Sequence, residues 1–334
     1  MSSFKHTSAG LHRLSLCLLM GAALIAPMKL FGAEQSSAPA EPPDRFDPID
    51  VPRDYLSRKL INFASDMDRF FGDERNYQES NQSVFQFDLT KVAGYGGDQK
   101  IVLSGRAKVN LPSTEKRLHL LLETNPDKNI TGEPTQTQNT PITQVAAPES
   151  YAAAMRYEKE KEEERPWHFS ADAGVQFQGV KTDPFTRARG SYSIPMGQWR
   201  LKAAESIYWF NTIGAGETTQ LDLEHFLSET VLFRASSNAT WLHDKQNFDL
   251  RQDISIYHTL DDRTALLYQL SAIGVSNPQL QVNDYVALVN YRYRLHRKWI
   301  FFELSPQLHF PREYQYQSNP TLSMRLEILF DGSE

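Results

Sequence analysis

The sequence predicts an all-β fold, a transmembrane antiparallel up-and-down β-barrel of about fourteen strands with a short N-terminal helix. Twelve strands is the alternative count. Three observations predict this fold. Apolar and polar residues alternate over most of residues 83–330. Several alternating runs reach the length of about 9–11 residues that a tilted strand needs to cross a bilayer. Short and longer connections also alternate along the second half of the chain, as in outer-membrane barrels.

The first 33 residues predict a secretory signal peptide. Lys5 and Arg13 precede an apolar run over residues 14–27, and the small residues Gly32 and Ala33 follow. A single membrane-anchor helix is the alternative. Residues 34–50 are rich in proline and predict a disordered periplasmic linker. The only cysteine is Cys17, so the chain cannot form an internal disulfide.

Residues 51–72 predict an amphipathic helix. Leu56, Leu60, Phe63, Met67 and Phe70 recur at steps of three and four, which places them on one face. This face could pack on its own domain. It could also make the helix a plug, or an interfacial helix at the mouth of the barrel. A periplasmic partner of residues 51–71 is a further possibility.

The period of two defines the barrel over residues 83–330. In the clearest runs (85–90, 101–111, 167–178 and 322–330) every Asp, Glu, Lys and Arg lies on the polar face. A soluble sandwich would turn the apolar face inward, whereas a transmembrane barrel turns it to lipid. The length of the runs favours the barrel.

Counting the segments gives thirteen strands, which would leave the two termini on opposite sides of the membrane. Residues 151–157 alternate and could add a fourteenth strand, although Ala and Glu also favour a helix there. We choose the strand because the parity then closes. Residues 125–149 become a long extracellular loop, residues 211–217 a shorter one, and residues 331–334 a tail.

Composition excludes several classes of function. The net charge of −6 gives no basic surface for nucleic acid. We find no phosphate loop, dinucleotide fingerprint or zinc motif, so we expect no cofactor and no metal. A membrane hydrolase would need Ser237 beside His225 or His258, but hairpin pairing separates them by about 14 and 20 Å. We therefore expect no enzyme, and an outer-membrane hydrolase is the least favoured alternative.

The polar face of the strands supplies the candidate site. An aqueous pore would be lined by charged residues on this face, and their arginine excess would favour anionic solutes. The alternative is a cross-strand network of ion pairs that fills the barrel and conducts nothing. Glu205 falls instead on the lipid face, where a bulge or a subunit contact would explain it. The pore-lining candidates are Arg106, Lys108, Asp172, Arg187, Arg189, Arg251, Asp253, Arg292, Arg294 and Glu303.

The final strand carries a resemblance to a known family. Leu322, Met324, Leu326, Ile328 and Phe330 form an alternating apolar row with an aromatic end. This row resembles the C-terminal strand of Gram-negative outer-membrane β-barrel proteins, which the barrel-assembly machinery recognises. The resemblance implies a location in the outer membrane, in contact with its lipid. One departure is that four residues follow Phe330.

Two short motifs add a finer resemblance. Residues 111–118 read Leu-Pro-x-Thr-Glu-x-Arg-Leu, and residues 310–313 read Phe-Pro-Arg-Glu. The chain is similar in these motifs to an uncharacterised group of proteobacterial barrels, which implies no activity. The sequence thus predicts a channel or porin-like passage for small polar or anionic solutes. A non-conducting structural or envelope-assembly component is the main alternative.

Overall fold

The computed structural model describes residues 50–72, 77, 83–94, 99–111, 117–126, 150–158, 166–296 and 298–331. The signal peptide, residues 34–49 of the linker and most of the 125–149 loop lie outside these ranges. In the described residues, helix α1 (Asp50–Phe70) precedes the strands. The strands are β1 (Val84–Gly94), β2 (Gln99–Asn110), β3 (Leu118–Thr124), β4 (Tyr151–Glu158), β5 (Trp167–Gln178), β6 (Lys181–Met196), β7 (Trp199–Phe210), β8 (Gly214–Ser228), β9 (Val231–Leu242), β10 (Asn247–Asp261), β11 (Thr264–Val275), β12 (Gln281–Arg294), β13 (Ile300–Pro311) and β14 (Asn319–Asp331).

The described strands form one closed antiparallel barrel. Each strand pairs with its neighbours in sequence, and β1 pairs with β14 from Val84↔Asp331 to Gly94↔Thr321. This closure confirms the predicted fold class and the count of fourteen. Residues 151–157, which could have been helical, lie within β4.

The two faces of the wall are inverted relative to a soluble barrel. Along β1, Gln86, Asp88 and Thr90 are buried, whereas the alternate residues Phe87 and Leu89 are 52% and 47% exposed. Since side chains on a strand alternate between faces, the buried polar row points into the lumen. The large apolar row points outward, as it must when the surrounding medium is lipid.

Several strands are longer than the sequence predicts. The predicted loop over residues 211–217 is reduced to three residues, because β7 ends at Phe210 and β8 begins at Gly214. Asp331, predicted as part of the tail, pairs with Val84 in the seam. The alternation of apolar and polar residues stops before these strands end, because strand residues that extend beyond the membrane no longer need an apolar face.

Helix α1 lies inside the barrel. Leu60, Ala64, Met67 and Phe71, on one face of the helix and the turn that follows, are buried against inward-facing wall residues. Those wall residues are Leu232, Tyr257, Ala265, Leu267 and Leu288. Among the described residues, no helix is both long enough and apolar enough to cross a membrane.

Candidate functional site in the barrel lumen

An apolar patch on the inner wall receives α1. Phe71 meets Tyr257 edge to face with ring centroids 5.3 Å apart, and Phe63 meets Phe226 in the same way at 5.1 Å. The Thr259 hydroxyl donates to the Met67 sulfur at 3.4 Å. Inward apolar side chains would be unfavourable if they faced only water, and their burial by α1 removes this cost.

Two ion pairs join α1 to the wall at different depths. Asp68 Oδ1 lies 2.7 Å from Arg234 Nη1, and both side chains are buried. At the end of the barrel, Lys59 donates to Glu229 at 2.6 Å. Glu229 is exposed in the turn between β8 and β9, and this hydrogen bond lowers its pKa below the usual value. Water screens the exposed pair, whereas undocking of α1 would leave the buried Arg234 without the Asp68 carboxylate.

A second segment of the chain also contacts the lumen wall. The Tyr77 hydroxyl donates to the Ala107 carbonyl at 3.2 Å, and its ring lies 4.5 Å from the Arg106 guanidinium carbon. Arg106 donates to Gln86 at 2.8 Å and to the Gly72 carbonyl at 3.2 Å. Arg106, a predicted pore-lining residue, thus holds the chain just after α1.

The predicted candidates Asp172 on β5 and Arg187 on β6 belong to one ion-pair network. Arg187 binds Asp172 and also Glu123, which it meets at 2.5 and 3.0 Å. Arg156 donates to both oxygens of Asp172 at 2.6 and 2.8 Å. The two pairs with Asp172 join adjacent strands and the Arg187–Glu123 pair joins β6 to β3, so the network stiffens this side of the wall.

A neighbouring part of the wall holds Lys108. Its ammonium donates to Glu158 at 2.6 Å, and His168 Nε2 lies 2.8 Å from the other oxygen of the same carboxylate. Lys108 and Glu158 are almost completely buried. A charge this well paired and enclosed is not presented to a passing solute.

A second network joins β12, β13 and β14. Arg292 binds Glu303 and donates to Glu327 at 2.8 Å, and Arg325 donates to Glu303 at 2.6 Å. The Arg292 guanidinium also lies 5.8 Å from the Phe70 ring of α1. Arg292 therefore lies beside the helix within this network.

The remaining predicted candidates are scattered. Arg251 donates to Asp253 at 2.9 Å on the inner face of β10. Arg189 donates to Ser206 at 3.2 Å across β6 and β7. Arg294, two residues beyond Arg292 on β12, binds the Asp262 carbonyl at the end of the barrel. The fold thus places these four residues in three separate regions.

The arginine excess expected from the sequence is offset by buried acids. The buried cations among the described residues are Lys108, Arg156, Arg187, Arg200, Lys202, Arg234, Arg292 and Arg325. The buried acids are Asp68, Asp88, Glu123, Glu158, Asp172, Asp222, Glu224, Asp253, Glu303 and Glu327. The expected arginine excess left out Asp68, Asp88, Glu123 and Glu158, although the alternation over residues 85–90 already placed Asp88 on the polar face. Carrying the inward parity along β3 and to the end of β4 adds Glu123 and Glu158.

The hydrolase alternative lacks the required geometry. His225 pairs with Phe233 and His258 pairs with Val231, so each lies well away from Ser237, as the hairpin argument predicts. The Ser237 hydroxyl donates instead to Gln252 at 2.5 Å. Within the ranges that the structure covers, no group of three or more His, Cys, Asp or Glu residues could hold a metal ion.

Glu205 lies on the outer face without distorting its strand. The Thr219 hydroxyl donates to its carboxylate at 2.7 Å, and β7 pairs with both neighbours without a register shift. The bulge considered above is therefore absent. A hydrogen bond from a neighbouring strand partly compensates a carboxylate that faces lipid.

Comparison with known proteins gives distant structural neighbours. No family model and no curated protein matches the chain. The solved structures similar to it include OprB of Pseudomonas putida (10% identity, TM-score 0.47, covering 78% of this chain and 97% of that one). They also include the channel DcaP of Acinetobacter baumannii (9%, 0.41, 75% and 96%) and a loop-deletion mutant of OmpT of Vibrio cholerae (10%, 0.45, 74% and 98%).

The class of the protein follows from its own strand pairing and surfaces. A closed barrel with an even number of antiparallel strands, an apolar outside and a polar inside is the architecture of outer-membrane β-barrel proteins. The chain is a transmembrane barrel of this kind, with a helix inside its lumen.

Proposed function

We propose that the barrel is a porin-like passage for small polar solutes across the outer membrane, narrowed by α1. The observation that supports it most directly is the second face of α1. Asp66 and Arg69 on this face have side chains 65% and 48% exposed, while the opposite face packs on the wall. An exposed polar face on a helix inside a barrel borders water, and a water-filled lumen is what a polar solute needs.

The charge of the wall bears on which solutes pass. Most buried cations of the described lumen have an acidic partner, and Asp88, Glu123 and Glu158 offset the excess that the sequence suggested. We therefore expect uncharged polar solutes and small ions of either sign to pass, with at most a weak preference for anions.

Single-channel recording tests the proposal. The purified full chain, inserted into a planar bilayer in KCl, should give steady conductance steps. A variant lacking residues 50–72 should give larger steps, because a helix with its side chains is about 10 Å across. A variant lacking residues 34–49 is the matched control and should behave like the full chain. Silence from all three proteins, with the barrel folded, would refute the passage.

A non-conducting structural component is the second candidate. The apolar core between α1 and the wall, together with the two ion-pair networks, favours it, because both make the lumen rigid and partly filled. In this function α1 or the preceding residues would engage a periplasmic partner. Silent bilayers combined with a partner that binds only the helix-containing chain would support it.

The proposal includes recognition by the barrel-assembly machinery and membership of the proteobacterial group. Recognition by the barrel-assembly machinery would use β14, where Met324, Leu326 and Phe330 are exposed on the outer face. Membership of the proteobacterial group would rest on the motif over residues 111–118, mostly outside the described residues, and on the motif at 310–313. Exchanging Phe330 for Ser should slow insertion by the assembly machinery in reconstituted membranes, whereas an exchange of Tyr314, outside β14, should not.

A further inference from the structure

In one cluster of wall charges, the described cations and acids become equal in number when Asp68 of α1 is counted. Arg200, on β7, binds Glu224 of β8, and Arg234 of β9 binds the same carboxylate at 2.7 Å. Lys202, also on β7, faces Asp222 of β8 directly. Three cations and two acids therefore share this part of the wall. The carboxylate of Asp68 makes the numbers equal, and it approaches Arg234 to 2.7 Å.

Next to Asp68, the lumen wall combines a buried arginine with an aromatic ring, which is a pair of groups that can bind an aromatic carboxylate. The Arg234 guanidinium lies 5.0 Å from the Tyr257 ring and 3.2 Å from its hydroxyl. The Phe71 ring packs against the same Tyr257 ring. Asp68 of α1 thus presents a carboxylate to an arginine, and Phe71, in the turn just after α1, presents an aromatic ring to a tyrosine.

We propose that this position in the lumen is a binding site for small aromatic carboxylates, and that Asp68 and Phe71 occupy it as a tethered competitor. A guanidinium recognises a carboxylate strongly when both are shielded from water. The adjacent apolar wall of Leu232, Ala265 and Leu267 would cover the ring of the ligand. The inference deepens the proposed passage, on which it rests for the route of the ligand.

The competition has a consequence for the helix. A ligand that takes the place of Asp68 and Phe71 removes two of the contacts that hold α1 to the wall. Since tethered groups act at an effective concentration of about millimolar, a free ligand must bind well to compete with them. Neutralising the Asp68 carboxylate should therefore make binding of a free ligand at this position measurable.

Calorimetric titration of the full chain in detergent with phenylacetate tests the proposal. Asp68→Asn keeps the shape of the side chain and should tighten phenylacetate binding at least tenfold relative to the unaltered chain. Asp66→Asn, on the exposed face of the same helix, is the matched control and should change nothing. Neither 2-phenylacetamide, which lacks the charge, nor acetate, which lacks the ring, should bind measurably.

Two further variants test the wall side. In the Asp68→Asn background, Arg234→Gln should abolish phenylacetate binding. Tyr257→Phe should weaken it severalfold and serves if the arginine variant does not assemble. Equal affinity of the unaltered chain and Asp68→Asn, or equal binding of phenylacetate and its amide, would overturn the proposal.

The titration and the conductance recording test separate claims. The titration needs no membrane, so phenylacetate binding in a chain that gives no conductance would refute the passage and keep the site. Conductance steps together with no binding to Asp68→Asn would refute the site and keep the passage.

Discussion

The contact between Phe71 and Tyr257 should control how long α1 stays on the wall. Phe71 is 1% exposed and packs edge to face on Tyr257, so Phe71→Ala removes a nearly complete set of ring contacts. Truncating a buried phenylalanine costs about 3–5 kcal/mol. The lower end applies because α1 packs on the wall from one side. At about 1.4 kcal/mol for each factor of ten, the undocked fraction should rise about a hundredfold.

Cysteine accessibility measures this fraction directly. Ala64 is completely buried against the wall, so the thiol of an Ala64→Cys variant reacts with a maleimide only when α1 undocks. Measured in a Cys17→Ser background in membrane vesicles, the reaction rate should rise about a hundredfold when Phe71→Ala is added. Ser65→Cys, on the exposed side of the helix, should react at the same rate in both backgrounds.

A matched aromatic substitution completes the experiment. Phe87 is 52% exposed on the outer face, so Phe87→Ala should leave the Ala64→Cys rate unchanged. If Phe71→Ala alters that rate by less than twofold while the barrel remains folded, α1 is not held by this contact. The packing of α1 against the lumen wall would then be refuted.

Three other perturbations test separate parts of the fold. A Cβ at Gly174 would lie 2.5 Å from atoms of β4, so Gly174→Ala should lower the free energy of unfolding in urea by about 1–3 kcal/mol. Gly190→Ala, where nothing lies within 4 Å, should be neutral, and equal losses would contradict the packing. Removing a charge from the lipid face with Glu205→Leu should raise the same free energy by about 1–2 kcal/mol in lipid vesicles. A decrease would instead indicate a subunit contact. The Lys59 hydrogen bond lowers the pKa of Glu229, so their contact holds α1 above that pKa and weakens as the pH falls through it. Lys59→Gln should return the pKa of Glu229 toward 4.5, as followed by carboxyl NMR, and an unchanged value would exclude the contact.

The barrel was predictable because one physical rule governs every strand. Lipid outside and polar groups inside impose the alternation, and the need for both termini on one side identified β4 although its composition favours a helix. Strand ends were less predictable. Beyond the membrane the apolar face is no longer required, so the pattern fades at Gly214 before the hydrogen bonding does.

The position of α1 could not be read from its own pattern. An amphipathic helix packs on any apolar surface, and its sequence does not say which one. The information lay in the strands, where Leu232, Leu267 and Leu288 are apolar at inward positions. The pore-lining candidates share the inward parity, but their ion-pair partners were unpredictable because pairing across three strands depends on the stagger of the barrel.

The seam between β1 and β14 has a consequence for biogenesis. The ladder that completes the cylinder joins the earliest strand to be synthesised with the latest, along the whole length of β1. A nascent polypeptide halted before β14 would carry two long open edges, whose amides and carbonyls have no partner in hydrocarbon. Stable residence in the bilayer must therefore await translation of the final strand, and a truncated product should be left to periplasmic proteolysis.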